Sequence, residues 1–181
     1  NFKMNHNLIS EQLKIIIEKD HEFGRSNLGK GKKALVEFVS ANPTGPLTVG
    51  HGRGAMLGDT VSNILEWNGF EVEREYYFNN AGRQMRVLGE SVRARYLELL
   101  QLENKFPEGG YEGEYIINIA QSIVDKNGDK FISDPENIIF RDTAESLIFD
   151  DIKATMSRLG LQFDSYYNEH TLYESRKIDA V

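Results

Sequence analysis

Cysteine is absent from the 181-residue chain. That excludes a disulfide scaffold and a cysteine-based zinc site, and it fits a cytoplasmic protein. No apolar run approaches the roughly 18–20 residues of a membrane span. The opening "NFKMNHNLIS" lacks the apolar core of a signal peptide. Basic residues are the minority, with 21 Lys and Arg against 28 Asp and Glu, a net charge of -7. A compact nucleic-acid-binding module is more often basic, so any RNA contact is expected through a local patch or through parts outside these residues. The first residue is not Met, and "YESRKIDAV" at the end reads as the opening of a helix. We therefore expect a piece of a longer protein.

What is present is an ordinary globular balance, 40% hydrophobic and 27% charged, long enough for one domain with a core. Leu8, Ile9, Leu13, Ile15, Ile16 and Ile17 recur at mostly helical spacing, which predicts a helix from about Asn5 to Phe23. "GRSNLGKGKK" reads as a solvated basic loop. "ALVEFVS", Ala34–Ser40, reads as a strand, and its near-continuous apolar character predicts burial on both faces. A helix is predicted from about His51 to Trp67, a strand over "EVEREYYF", and a long charged-faced helix from Gln84 to Leu102. Strand, helix, strand is a parallel βαβ unit, and its right-handed crossover places the connecting loop at the carboxyl edge of the sheet, where open α/β sheets bind ligands. Beyond a turn-rich link, "YIINIAQSIVDK" and "NIIFRDTAESLIFDDIKATMSRLG" read as helices and "LQFDSYYNEHTLY" as one or two short strands. Glu103–Glu114 is the best boundary candidate, dividing 1–103 from 104–181.

Proline is rare, four residues in all, yet two of them stand in "NPTGPLTVGHGRG", Asn42–Gly54. A plain turn needs one or two glycines; this loop holds four. A phosphate-binding P-loop fails here: Gly45 and Gly50 have the spacing, but His51 and Gly52 stand where lysine and a hydroxyl are needed. Gly50, Gly52 and Ala55 match a dinucleotide fingerprint only formally, because the glycines stand too far beyond the strand. The better reading starts from the helix. Its N-terminus near His51 offers free N–H groups and the positive end of the dipole. Gly50, Gly52 and Gly54 clear space for a base or a phosphate, and an imidazole donates to a phosphoryl oxygen, more strongly if protonated. Such a site suits charge on an α-phosphate during adenylyl transfer.

"VEFVSANPTGPLTVGHGRGAMLGD", Val36–Asp59, resembles the catalytic signature of arginyl-tRNA synthetases, which are class I synthetases. Their "HIGH" tetrapeptide falls on "TVGH", Thr48–His51. "REYYFNNAGRQ" and the terminal "YYNEHTLYESRKID" are similar to later stretches of that family. The resemblance implies an α/β fold: the first half of a Rossmann-like class I synthetase catalytic domain with parallel strands, plus a mostly helical inserted region. It implies arginine–tRNA ligase activity. ATP, with Mg2+ accompanying it, activates L-arginine to arginyl-adenylate, and the arginyl group passes to tRNA(Arg), in the cytoplasm and with no membrane involved.

By the same resemblance, His51 and Thr48 are catalytic. Gly50, His51, Gly52 and Thr48 bind ATP, and Glu37, Ser40 and Asn42 bind arginine. Glu37 also has a warrant of its own: a carboxylate buried within "ALVEFV" needs a partner. A guanidinium substrate would supply a bidentate one, as would a neighbouring Arg or Lys. Two positions depart from the family pattern. Thr48 stands where a histidine is usual, and Asn80 where an acid is common. A "KMSKS"-like motif, the second half of the nucleotide fold and an anticodon-binding domain are all missing, so these residues alone are expected to be inactive. Another adenylyl or nucleotidyl transferase sharing the signature, and a non-catalytic synthetase-derived binding module, remain the competing readings. "DKNGDKFISDPE" resembles a calcium loop, but its glycine is at the fourth position rather than the sixth, so it reads as a turn.

Overall fold

A computed structural model of the chain describes residues 3, 5–134 and 138–175. Helix α1, His6–Lys19, starts at Asn5, whose side chain accepts the Asn7 N–H at 2.9 Å, and a 3₁₀ turn at Asp20–Glu22 follows it. None of the residues of α1 is buried. Strand β1 runs Lys33–Glu37, α2 Val49–Trp67, β2 Glu71–Phe78 and α3 Gly82–Leu99. Helices α4, Glu114–Asn127, and α5, Ile139–Arg158, lead to β3, Ser165–Asn168, and a short helix α6, His170–Glu174. The strands form one parallel sheet in the order β1-β2-β3, with Val36 opposite Arg74 and Tyr77 opposite Tyr167. The βαβ reading therefore holds. "LQFDSYYNEHTLY" contributes one strand rather than two, and that strand pairs with β2 after a connection made of three helices. The last part of the terminal resemblance, 176–179, and the end of the calcium-like stretch, 135–136, lie outside the described residues.

The core lies on one side of the sheet. Phe140, Ala144, Ile148 and Ile152 of α5 repeat every four residues, and Ile116, Ile119, Ala120 and Ile123 of α4 follow the same helical stripe. They close on Met85, Leu88, Val92 and Tyr96 of α3 and on Tyr76 and Phe78 of β2. Residues on both sides of the 103/104 boundary thus share one core. A smaller cluster of Ala55, Met156 and Leu161, with Val39, Leu47 and Phe163 against it, anchors the first turns of α2.

Burial of β1 on both faces is not what the structure shows. Its residues alternate between exposed and half-buried, and Leu35 is 56% exposed. Ala34, Val36 and Phe38 face the helices with Arg74, Tyr76 and Phe78, whereas Lys33, Leu35 and Glu37 share the uncovered face with Glu71 and Glu73. The apolar run concealed a strand alternation, because a single leucine occupied the open face. The strand also ends earlier than "ALVEFVS" suggests. Val39 and Ser40 have φ values of 66° and 43°, a conformation that a β-branched residue rarely adopts. That pair turns the chain out of the sheet.

Candidate active site

The loop from Phe38 to Thr48 is fastened to the carboxyl end of β2 residue by residue. Ser40 Oγ accepts the Tyr77 N–H at 3.2 Å. The Tyr76 hydroxyl donates to the Ala41 carbonyl at 2.8 Å and accepts the Ala41 N–H at 3.1 Å. Asn42 Oδ1 accepts the Asn79 N–H at 2.9 Å, while its Nδ2 donates to Gln84 Oε1 at 2.9 Å. Further along, the Tyr115 hydroxyl donates to the Thr44 carbonyl at 2.8 Å, and Gly45 lies under the Tyr115 ring so closely that a Cβ would crowd it. Ser40 and Asn42, expected at the amino-acid end of a substrate, therefore hold the loop in place with their side chains. Tyr115 belongs to a helix 71 residues downstream, and nothing in the local sequence signalled its role.

Helix α2 begins two residues earlier than expected, with Thr48 as its N-cap and Val49 in its first position. Thr48 and His51 form a capping box, in which the Thr48 N–H donates to His51 Nδ1 at 3.0 Å. The Thr48 hydroxyl lies 3.2 Å from the same nitrogen. His51 Nε2 has no partner among the described residues. A Cβ added at Gly52 or Gly54 would meet nothing within 4 Å, and one at Gly50 only Thr48 Oγ1 at 3.5 Å. Packing within the protein does not demand these glycines, unlike Gly45 or Gly58. The first turn of α2 therefore opens onto unfilled space, with the Val49 and Gly50 N–H groups unpaired among the described residues.

Glu37 lies on the uncovered face of the sheet at the same carboxyl edge. It is exposed rather than buried, and it makes no ion pair among the described residues. The burial argument for a partner is thereby overturned: water solvates this carboxylate, because no helix covers its face of β1. Its neighbourhood is nevertheless distinctive. Partial loss of hydration, then the neighbouring Glu169 carboxylate and the weaker negative fields of Tyr173 and Glu37, push the Tyr77 hydroxyl up to about 12. Tyr77 stacks on Tyr167 with ring centroids 6.0 Å apart and planes 9° from parallel. The charge of Glu169 and, more weakly, that of Glu37 thus act on one member of a stacked tyrosine pair. Strand alternation sends Tyr76 and Phe78 inward and Tyr77 to the open face. Glu169 and Tyr167 were missed, because β3 reaches β2 only through tertiary pairing.

Arg74 and Asn80 of "REYYFNNAGRQ" have structural partners. Arg74 bridges α2 and β2 through Glu66 at 2.7 Å, Asn63 at 2.9 Å and Asp59 at 3.5 Å. Asn80 Nδ2 donates to Glu145 Oε1 at 2.7 Å, so it ties the end of β2 to α5 through a neutral amide. Among the described residues no group of three or more His, Cys, Asp and Glu could hold a metal ion, and no helix is long and apolar enough to cross a membrane.

Residues 12–107 match the family model for the catalytic domain of class I (R) tRNA synthetases. The chain belongs to that family. The arginine–tRNA ligase of Desulfotalea psychrophila is 56% identical over 97% of the chain and 31% of its own length. That of Chlorobium phaeobacteroides is 52% identical over 96% of the chain and 32% of its own length. A Campylobacter jejuni structure described as an arginyl-tRNA synthetase superposes with a TM-score of 0.81 at 33% identity, over 94% of the chain and 38% of that structure. The chain thus spans about a third of the length of the curated relatives it matches. For this class I (R) synthetase chain, the family match extends across the glycine loop, β2 and α3.

Proposed function

We propose that the chain forms part of an arginine–tRNA ligase acting in the cytoplasm, with 1–103 the first half of its nucleotide-binding domain and 104–181 an inserted part. ATP enters with Mg2+ on its phosphates. The carboxylate of L-arginine attacks the α-phosphorus, the bond to the bridging oxygen breaks, and pyrophosphate leaves. Negative charge that grows on the α-phosphoryl oxygens is met by the N–H groups opening α2 and by the Nε2–H of His51. Gly50 and Gly52 let the nucleotide reach that main chain. A hydroxyl of the terminal adenosine of tRNA(Arg) then attacks the arginyl carbonyl, the carbonyl–phosphate bond breaks and AMP leaves; the tRNA contacts mostly residues beyond these.

The observation that carries this reading is the pairing of two features at one sheet edge. One is a helix N-terminus whose glycines no internal contact requires. The other is an acidic, tyrosine-floored corner. A guanidinium is planar and permanently charged, stacks on an aromatic face and takes carboxylates bidentately. Glu37 and Glu169 with Tyr77 supply both halves of that recognition. Ser40 and Asn42 act by fixing the loop that carries the substrate's amino-acid end.

Pyrophosphate exchange in the full-length protein tests this with a panel of amino acids. Exchange is expected with arginine and lost in His51→Ala. Exchange driven by another acceptor, with arginine inert, would defeat the proposal. The 181-residue chain alone is expected to leave tRNA uncharged.

A further inference from the structure

The hydrogen bond between Thr48 and His51 bears on which nitrogen of the imidazole carries the proton. A backbone N–H can only donate. At 3.0 Å from His51 Nδ1, the Thr48 amide requires a lone pair on that nitrogen, and the ring proton must then be on Nε2. We infer that the Thr48 amide locks His51 in its neutral, Nε2-protonated tautomer, so that Thr48 is a positioning residue and His51 an uncharged donor. A doubly protonated ring would set a second N–H against the Thr48 N–H and open the cap. Cations are favoured at helix C-termini, so an uncharged ring also suits the first turn of α2. Thr48 and the N-terminal turn of α2 are the groups facing the ring, and no charged side chain is bonded to His51 among the described residues.

The threonine at this position suits the cap that the amide belongs to. Thr48 has the extended backbone of an N-cap, φ -96° and ψ 168°, and threonine is a favoured residue there. Its hydroxyl sits 3.2 Å from His51 Nδ1, turned toward the ring it positions. It also reverses the expectation that protonation would strengthen the donor: charging the ring would cost the bond that aims it. The assignment deepens the adenylation reading but does not need it, since the tautomer follows from the amide geometry alone.

Nitrogen-15 NMR of the imidazole in the 181-residue chain at pH 8 tests the first part. A pyridine-type Nδ1 and a pyrrole-type Nε2 are expected for His51 in the wild type and in Thr48→Val, which keeps the amide. Thr48→Pro removes the N–H and should lose the preference. A protonated Nδ1 in the wild type would overturn the assignment. The second part uses pyrophosphate exchange in the full-length protein and does not depend on the proline variant folding. The Gln amide nitrogen can occupy the Nε2 position, whereas the Asn amide reaches only the Nδ1 position. His51→Gln should therefore exceed His51→Asn by about tenfold or more, the worth of one well-placed donor. Equal collapse of both would show that charge is required and refute the neutral donor. If the wild type itself shows no arginine-dependent exchange, the activity reading fails and the NMR result still decides the tautomer.

Discussion

Gly58 lies against the ring of Phe38 so tightly that any Cβ at position 58 would overlap its carbons. The contact seats the middle of α2 on the end of β1, and it sets the height at which the first turn of that helix meets the loop. Gly58→Ala is therefore expected to destabilise by about 1–3 kcal/mol through overpacking, although alanine is the better helix former. Urea denaturation reads this directly, and a midpoint equal to or above the wild type would contradict it.

Gly52 gives the opposite expectation for stability. Its position is open on the protein side, so Gly52→Ala should stabilise α2 by up to about 1 kcal/mol. The added methyl stands where the nucleotide is proposed to approach. A raised melting temperature with at least a tenfold lower rate of arginine-dependent exchange is the expected pair of results, the rate loss being about 1.4 kcal/mol of barrier. A variant that gains stability and keeps its full rate would place the nucleotide elsewhere.

Tyr76 is fully buried, and its hydroxyl makes both bonds to Ala41. Tyr76→Phe leaves the Ala41 N–H and carbonyl without their partner and should cost about 1–3 kcal/mol. Burial pushes this hydroxyl up to about 12, against the opposing pull of its Ala41 hydrogen bond. The unfolded chain ionises near 10, so between about pH 10 and 12 the folded state holds a proton that the unfolded state has released. Stability is complete below pH 10 and falls as pH rises toward 12. Denaturation midpoints across that window should drop for the wild type and drop less for Tyr76→Phe.

Glu37 is exposed and unpaired among the described residues, so Glu37→Gln should leave the melting temperature nearly unchanged, within about 0.5 kcal/mol of stability. Loss of the charge should raise the KM for arginine by about ten- to a hundredfold, the range of a charge-assisted bond, with the KM for ATP unaffected. Steady-state pyrophosphate exchange separates the two constants. An unchanged arginine KM would remove Glu37 from the guanidinium site.

Much of the architecture was legible because it is written locally. The four-residue stripe of α5, the alternation of "EVEREYYF" and the glycine after Trp67–Asn68 each depend on neighbours a few positions away. The glycine loop was legible for the same reason: its composition is abnormal within a dozen residues. Glu37 was named correctly as a candidate but for a reason the structure removes, since burial depends on what covers a face rather than on the residues flanking it. Asn80 and Arg74 show the converse. Their sequence context marks them out, and only their contacts with Glu145 and Glu66 say what they do.

By itself, the sequence determined the order of helices and strands, the parallel βαβ unit and the placing of a helix N-terminus beside Gly50 and His51. Those follow from periodicity, capping and the handedness of the crossover, which are short-range effects. The tertiary structure decided which face of the sheet stays open, that β3 brings Tyr167 and Glu169 to Tyr77, that Tyr115 holds Thr44, and that Thr48 aims His51. Three of these join residues many tens of positions apart or depend on what packs against the sheet. The last needs the geometry of a single N–H···N bond, which no pattern of residue types records.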